Sequence, residues 1–266
     1  MSLEADGVVP LVLVVVCAAA YLGAAWPTRS VLRWSTLALA LGWSTHLLVL
    51  VFDVSGLGQE QPGTRLGFAP VLSITVWLVV AVHTIESRFV PLPSVRVGLA
   101  TAGAAAVVLA AAYPGELRRF ASPLGPFHFV LGVASYGLVG AAVLHALLLD
   151  AAERRLKLHK GAGGVLGLPL MQLERLTYRF VEAGFAVLTV ALVLGVLAPG
   201  GWRFNHKSLL SALAWWVFAV LLGGRRWWGW RGRVATRWLY VGAALLLLAY
   251  VGSRFVFEVL LGRSAG

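Results

Sequence analysis

Eight apolar runs, each close to twenty residues long, dominate this sequence of 266 residues. A helix needs about 20 mostly apolar residues to cross the hydrocarbon of a bilayer. The runs cover residues 8–26, 33–53, 68–87, 94–113, 127–150, 178–199, 207–224 and 236–261. They predict an all-α, polytopic membrane helix bundle of about eight transmembrane helices, with residues 1–266 forming a single integral membrane domain.

The composition supports this class of protein. Apolar residues make up 59% of the chain and charged residues 12%, against about 45–50% and roughly 25% in soluble domains. So little charge excludes a soluble enzyme and a disordered chain, and the single cysteine, Cys17, excludes an internal disulfide framework. The net charge of +11 indicates basic cytoplasmic loops rather than nucleic-acid binding.

The distribution of Lys and Arg predicts the orientation. With the N-terminus outside, fifteen of the 22 basic residues fall on the inner side and seven on the outer side. The positive-inside rule then predicts that both termini lie outside. Residues 1–6 are acidic, which favours a retained first helix over a cleaved signal peptide. The longest connection, 151–177, is interpreted as a cytoplasmic loop with a glycine joint; alternatively, residues 165–171 lie along the membrane surface.

Histidines are the most informative polar residues, because ionisable groups within membrane spans are costly and usually have a partner or a function. His128 is the second residue of the fifth run, and His206 directly precedes the seventh. Both then lie at the outer surface on different helices. His46 lies inside the second run, at a depth of roughly 10 Å from its outer end.

Two imidazoles from different helices can bind a metal ion or a haem iron. A zinc site usually has three or four ligands, and the outer loops carry few carboxylates, so bis-imidazole haem fits these residues better. The neighbouring residues that would pair with propionates or cover the ring are Arg118, Arg119, Arg203, Lys207, Trp202 and Phe127.

Two other interpretations of these residues stay open. The histidines, arginines and tryptophans at span ends can simply anchor helices at the interface. In a transporter, His46 and Glu182 would instead serve a substrate or proton path. Phosphate-binding loops, nucleophile elbows and paired zinc-binding histidine motifs are missing from the sequence, so a kinase or hydrolase has no support.

Several segments, taken in order, resemble the cytochrome c assembly family, the CcsA/CcmC-like haem-handling membrane proteins. The histidine-led stretch FHFVLGVASY at 127–136 resembles one of the family's helices, and LERLTYR at 173–179 resembles the entry to its last helices. The segments 205–215, 229–233 and 249–254 are similar to the smaller, YpjD-type inner-membrane subgroup.

The resemblance implies an eight-helix bundle of the bacterial inner membrane that binds b-type, non-covalent haem and acts in cytochrome c maturation. It would hold or relay haem at the outer membrane face. His128 matches the family's first external histidine, and His46 matches its membrane-embedded histidine. The expected partners are haem, an apocytochrome c or another assembly protein, and the lipid bilayer, without nucleic acid.

The sequence also departs from the larger relatives. Their tryptophan-rich segment is replaced by GGWRFNHK at 200–207, and their second membrane histidine falls at Gly223. We therefore expect a binding and assembly factor rather than an enzyme that attaches haem covalently. His128 and His206 would form a substitute external site on the haem iron. The alternative function is a haem-independent transporter or an accessory scaffold subunit.

Overall fold

The computed structural model describes residues 5–26, 32–55, 64–86, 93–118, 120, 122–158, 170–198 and 205–261. Within these ranges lie eight long helices: α1 (Ala5–Ala25), α2 (Leu32–Ser55), α3 (Phe68–Glu86), α4 (Pro93–Ala112), α5 (Leu124–Lys157), α6 (Leu170–Leu197), α7 (His206–Trp228) and α8 (Gly232–Leu247). After α8 come two π-helical segments, Leu248–Gly252 and Val256–Leu260, on either side of the α-helical turn Ser253–Phe255. Two short strands, β1 (Thr64–Leu66) and β2 (Glu116–Arg118), complete the elements.

The prediction of an all-α, polytopic membrane protein is confirmed. Seven of the helical segments are long and apolar enough to cross a membrane, and a shorter apolar helix covers Val9–Ala25. The outward orientation of both termini and the single integral membrane domain stay predictions.

The predicted helix ends were wrong around the connection 151–177. Helix α5 continues to Lys157, and α6 begins at Leu170, so both ends of that connection are helical. The added turns are rich in Glu, Arg, Leu and Lys, which favour helices although they are too polar to extend an apolar run. The glycine joint and residues 165–169 of the suggested surface segment lie outside the described residues.

The strand pair was not predicted. Residues Thr64, Arg65 and Leu66 lie opposite Arg118, Leu117 and Glu116 in an antiparallel pair. Strands of three residues are too short for an alternating pattern to reveal them in the sequence. Gly115 precedes β2 with φ +74°, and a Cβ atom there would lie 2.7 Å from the backbone of Leu66.

The chain divides into two compact units. Unit 1 comprises Met1–Phe120 and Arg254–Gly266, and unit 2 comprises Ala121–Ser253. In unit 1 the buried ring of Tyr21 on α1 lies against Gly42 of α2 and Gly103 of α4. A Cβ atom at these glycines would lie 2.9 Å and 2.8 Å from the ring. Small residues therefore allow the first, second and fourth helices to approach closely.

A buried arginine joins the strand pair to the C-terminal turns within unit 1. Arg254 is 2% exposed, and its Nη1 lies 3.5 Å from carboxylate oxygens of both Glu116 and Glu258. Glu258 also accepts a hydrogen bond from the backbone N–H of Phe68, at the start of α3. Three segments that are distant in sequence thus meet at one charged cluster.

In unit 2, α5 and α6 pack antiparallel. His128, near the start of α5, contacts the backbone of Ala191 near the end of α6. His145, further along α5, stacks on Phe180 in the first half of α6, with ring centroids 5.1 Å apart. The opposite order of the two contacts shows that the helices run in opposite directions.

Helices α7 and α8 continue the same up-and-down arrangement. At the start of α7, the Lys207 ammonium lies 5.9 Å from the ring centroid of Tyr250, beyond the end of α8. The opposite ends of α7 and α8 meet where Trp230 packs on Gly224. Unit 2 therefore has a histidine end, with His128 and His206, and a basic end, where α5 finishes and α8 begins.

We predict that Gly242→Ala lowers the stability of unit 2. The new methyl group would lie 2.6 Å from Phe218, whose ring is buried, and such overpacking costs about 1–3 kcal/mol. The thermal unfolding midpoint of the purified protein in detergent measures the effect. Gly132→Ala is the matched control, because its methyl group would meet no atom within 4 Å; equal midpoints for both variants would contradict the close packing.

Candidate functional site

His128 lies in the second turn of α5, and its side chain is exposed. Its Nδ1 lies 2.8 Å from the backbone oxygen of Ala191 on α6. Because a carbonyl oxygen only accepts hydrogen bonds, Nδ1 carries the proton and donates it. Nε2 then has a free lone pair, and no described residue bonds to it. Metal-binding histidines commonly have this arrangement, in which a carbonyl fixes the tautomer and the ring direction.

A glycine creates the space for this ring. Gly195 follows Ala191 by one helical turn, and a Cβ atom there would lie 3.1 Å from Cε1 of His128. The imidazole therefore rests directly against the α6 backbone. A larger residue at this position would push the ring away from its carbonyl partner.

His206 is the first residue of α7, and its side chain is also exposed. The preceding residue, Asn205, caps the helix: its Oδ1 accepts hydrogen bonds from the backbone N–H and the hydroxyl of Ser208, at 2.9 Å and 3.0 Å. This cap fixes where α7 begins and so positions His206. The structure places both predicted histidines at the histidine end of unit 2.

The predicted supporting residues are only partly described. Phe127 is 64% exposed beside His128, and Lys207 follows His206 at the same end of unit 2. Arg118 is the last residue of β2 in unit 1, and its side chain lies outside the described part of the structure. Arg119, Trp202 and Arg203 lie outside the described residues, so their roles stay predictions.

His46 has a different environment, in unit 1. It is fully buried, and both ring nitrogens have partners: Nδ1 lies 3.1 Å from the Tyr21 hydroxyl, and Nε2 lies 2.8 Å from the Ser73 hydroxyl. This chain of hydrogen bonds joins α1, α2 and α3. A ligand role for His46 stays a prediction, and it requires that one of these bonds be broken.

Sequence reasoning missed the partners of both histidines. Tyr21 and Ser73 are polar residues within apolar runs, so a search for polar groups on different spans would have found them. The carbonyl of Ala191 leaves no signal in the sequence. Within the described residues no group of three or more His, Cys, Asp or Glu side chains is placed to hold a metal ion.

Fold and site together define a multi-pass helical membrane protein that presents two exposed imidazoles at one end of a four-helix unit. The sequence model of the family described as "Cytochrome C assembly protein" matches residues 35–261. The match covers most of the chain, and the protein belongs to this family. The resemblance seen in the sequence is confirmed.

Three relatives illustrate the range of the family. Inner membrane protein YpjD of Escherichia coli (strain K12) is 36% identical over 137 residues, 50% of this chain and 52% of the relative, so the match spans about half the length of that protein. An uncharacterized 28.8 kDa protein of Azospirillum brasilense is 30% identical over 88% of both chains. Cytochrome c biogenesis protein CcsA of Parasynechococcus marenigrum (strain WH8102) is 28% identical, over 68% of this chain and 71% of the relative.

No solved structure matches the chain. The inner-membrane relative and the seven membrane-spanning segments confirm the predicted location, and the chain is a multi-pass protein of the bacterial inner membrane.

We predict that Ser73→Ala destabilises the protein. The substitution leaves Nε2 of the buried His46 without its partner, and an unsatisfied buried polar group costs about 1–3 kcal/mol. The control is Thr101→Ala, which removes an exposed hydroxyl bonded only to its own helix, at the backbone oxygen of Val97. Thermal unfolding in detergent should show a lower midpoint for Ser73→Ala alone; equal shifts would contradict the role of the His46 cluster.

Proposed function

We propose that this protein binds b-type haem at the histidine end of unit 2 and acts in cytochrome c maturation as a binding and assembly factor. Family membership and the CcsA relative support the process. The proposal includes a location at the outer membrane face and an apocytochrome c or another assembly protein as partner. Because the tryptophan-rich segment of the larger relatives is missing, the proposed activity is to hold and relay haem rather than to attach it.

The observation that carries the proposal is the state of His128. Its Nδ1–H is held by the Ala191 carbonyl, its side chain is exposed, and its Nε2 keeps a free lone pair. His206 is exposed at the same end of the unit. When bound, haem would be held by the neutral imidazoles of His128 and His206, and its iron would supply a centre at which ligands can exchange.

Other residues of the protein position the two histidines and would contact the rest of the haem. Ala191 and Gly195 hold the His128 ring in one orientation, and the Asn205 cap fixes the helix start that carries His206. Lys207 supplies a cation at the same end that suits a carboxylate. In the proposal, the further contacts come from Arg118, Arg119, Arg203 and Trp202.

We predict that purified wild-type protein supplied with haem shows a low-spin Soret and α-band spectrum. Single substitutions His128→Ala and His206→Ala should each abolish that spectrum, because each removes one of the two imidazoles that would hold the haem iron. Absorption spectra of oxidised and reduced protein in mild detergent measure the effect. His159→Ala is the histidine control and should leave the spectrum unchanged. Release of all haem by acidic organic solvent would show that the haem is bound without a covalent link.

Two results would contradict this function. If the wild-type protein takes up no haem, the proposed haem site does not exist. Substrate flux in vesicles would then favour a transporter, and co-purification with a fixed complex would favour a scaffold subunit. A spectrum that persists in both histidine variants would place haem elsewhere in the chain.

We also predict that Gly195→Val weakens haem binding although it removes no ligand. The new side chain would crowd the His128 ring, because its Cβ atom alone would lie 3.1 Å from Cε1 of that ring and the two methyl groups extend further. A haem titration should give at least a tenfold higher Kd, which corresponds to about 1.4 kcal/mol. Gly132→Val on α5 is the control, because its position faces open space; the same Kd for both variants would show that the α6 backbone does not position His128.

A further inference from the structure

An open cavity of about 260 Å³ lies between α5 and α8 at the basic end of unit 2. Four cationic side chains and two carboxylates line it, together with Thr236 and Tyr240: Arg154, Lys157, Arg233, Arg237, Asp150 and Glu153. The four cations are exposed. This cavity is separate from the proposed haem site, which lies at the opposite end of the four-helix unit.

One of the two carboxylates accepts hydrogen bonds from neutral donors, and the other lies beside a helix start. Asp150 accepts hydrogen bonds from the Thr236 hydroxyl at 3.1 Å and the Tyr240 hydroxyl at 2.9 Å. A Cβ atom at Gly232 would lie 3.1 Å from Oε1 of Glu153, so that carboxylate lies beside the first residue of α8. The positive end of the helix dipole favours a negative group there.

The cations therefore retain their capacity to bind an anion. No described residue forms an ion pair or a hydrogen bond with the side chains of Arg154, Lys157, Arg233 or Arg237; the Thr236 hydroxyl bonds only to the backbone oxygen of Arg233 and to Asp150. Four positive charges against two negative ones give the cavity a surplus of positive charge. Guanidinium groups bind phosphate oxygens strongly and with defined geometry.

The tryptophans at the α7–α8 turn indicate the depth of this cavity in the membrane. Trp227 and Trp228 are 77% and 69% exposed. Trp230 stacks on both Trp228 and Trp238, with ring centroids 6.0 Å and 5.6 Å apart. Exposed tryptophans gather where the hydrocarbon meets the headgroups, so the start of α8 lies at the headgroup level.

We propose that this cavity binds the phosphate headgroup of an anionic phospholipid. Its volume is below the roughly 300–1,000 Å³ of sites for drug-sized ligands, so it suits a headgroup rather than a whole cofactor. Exposed apolar residues continue from it along both helices: Leu147 precedes Asp150 by three residues, and Val241 follows Arg237 by four. This spacing keeps them on the same helix faces, where acyl chains can lie. Basic pockets between membrane helices bind anionic headgroups in this way.

Native mass spectrometry of the full-length protein tests the site. The protein, in mild detergent, is mixed with equal amounts of phosphatidylglycerol and phosphatidylcholine. We expect wild-type protein to retain phosphatidylglycerol preferentially, and the double variant Arg233→Gln, Arg237→Gln to lose roughly tenfold or more of that preference. The variant Arg233→Lys, Arg237→Lys keeps both charges and should retain most of it, which separates binding from a folding defect.

The matched control is Arg175→Gln, Arg179→Gln. It removes the same charge from exposed positions on α6 at the basic end, outside the cavity. An equal loss in this control would overturn the specific site, as would equal retention of phosphatidylcholine by the wild type. An excess of inorganic phosphate should not displace the lipid; displacement would assign the cavity to a soluble anion instead.

Discussion

Hydrocarbon offers no hydrogen-bond partner, so polar side chains within the helices of this protein depend on partners from other parts of the chain. His46 joins three helices of unit 1 through Tyr21 and Ser73. In unit 2, Asp150 of α5 accepts two hydrogen bonds from α8. Lipid tails are as apolar as leucine, so helices gain little by burying apolar surface against each other. Polar contacts and close approaches at glycines therefore determine which helices pair.

Hydrogen-bond partners also distinguish His46 from His128. His46 has a partner for each ring nitrogen, and its bonds hold helices together. The described part of the chain satisfies only one nitrogen of His128, and the ring is exposed. In such a histidine, one ring nitrogen is hydrogen-bonded and fixes the orientation of the ring, while the other nitrogen has a free lone pair. The side chain is therefore preorganised to bind a ligand, which lowers the entropic cost of binding. This difference favours the histidine end of unit 2 over His46 as the proposed haem site.

Much of the fold could be predicted because a helix that crosses the bilayer needs a minimum length of apolar residues, and such apolar runs are visible in the sequence. The eight helices followed from that length. The charged C-terminal end of α5 and the polar start of α6 were missed, because an analysis of apolar runs does not distinguish polar helical turns from loops. The strand pair was too short to show a pattern. For the site, the sequence identified His128 and His206 but not the Ala191 carbonyl or the gap at Gly195, because a backbone contact between helices requires their relative position.

The length of α5 has a consequence for how the protein responds to its membrane. Its 34 residues make a rod of about 51 Å at about 1.5 Å per residue, whereas the hydrocarbon layer is about 30 Å thick. The 26 residue steps from His128 to Arg154 correspond to about 39 Å, so both ends of an upright α5 cannot be immersed in hydrocarbon at once. In a thicker bilayer, one end of α5 lies within the hydrocarbon. In a thinner bilayer, either both ends lie outside the hydrocarbon or the helix tilts. Bilayer thickness thereby sets how far the imidazole of His128 stands from water.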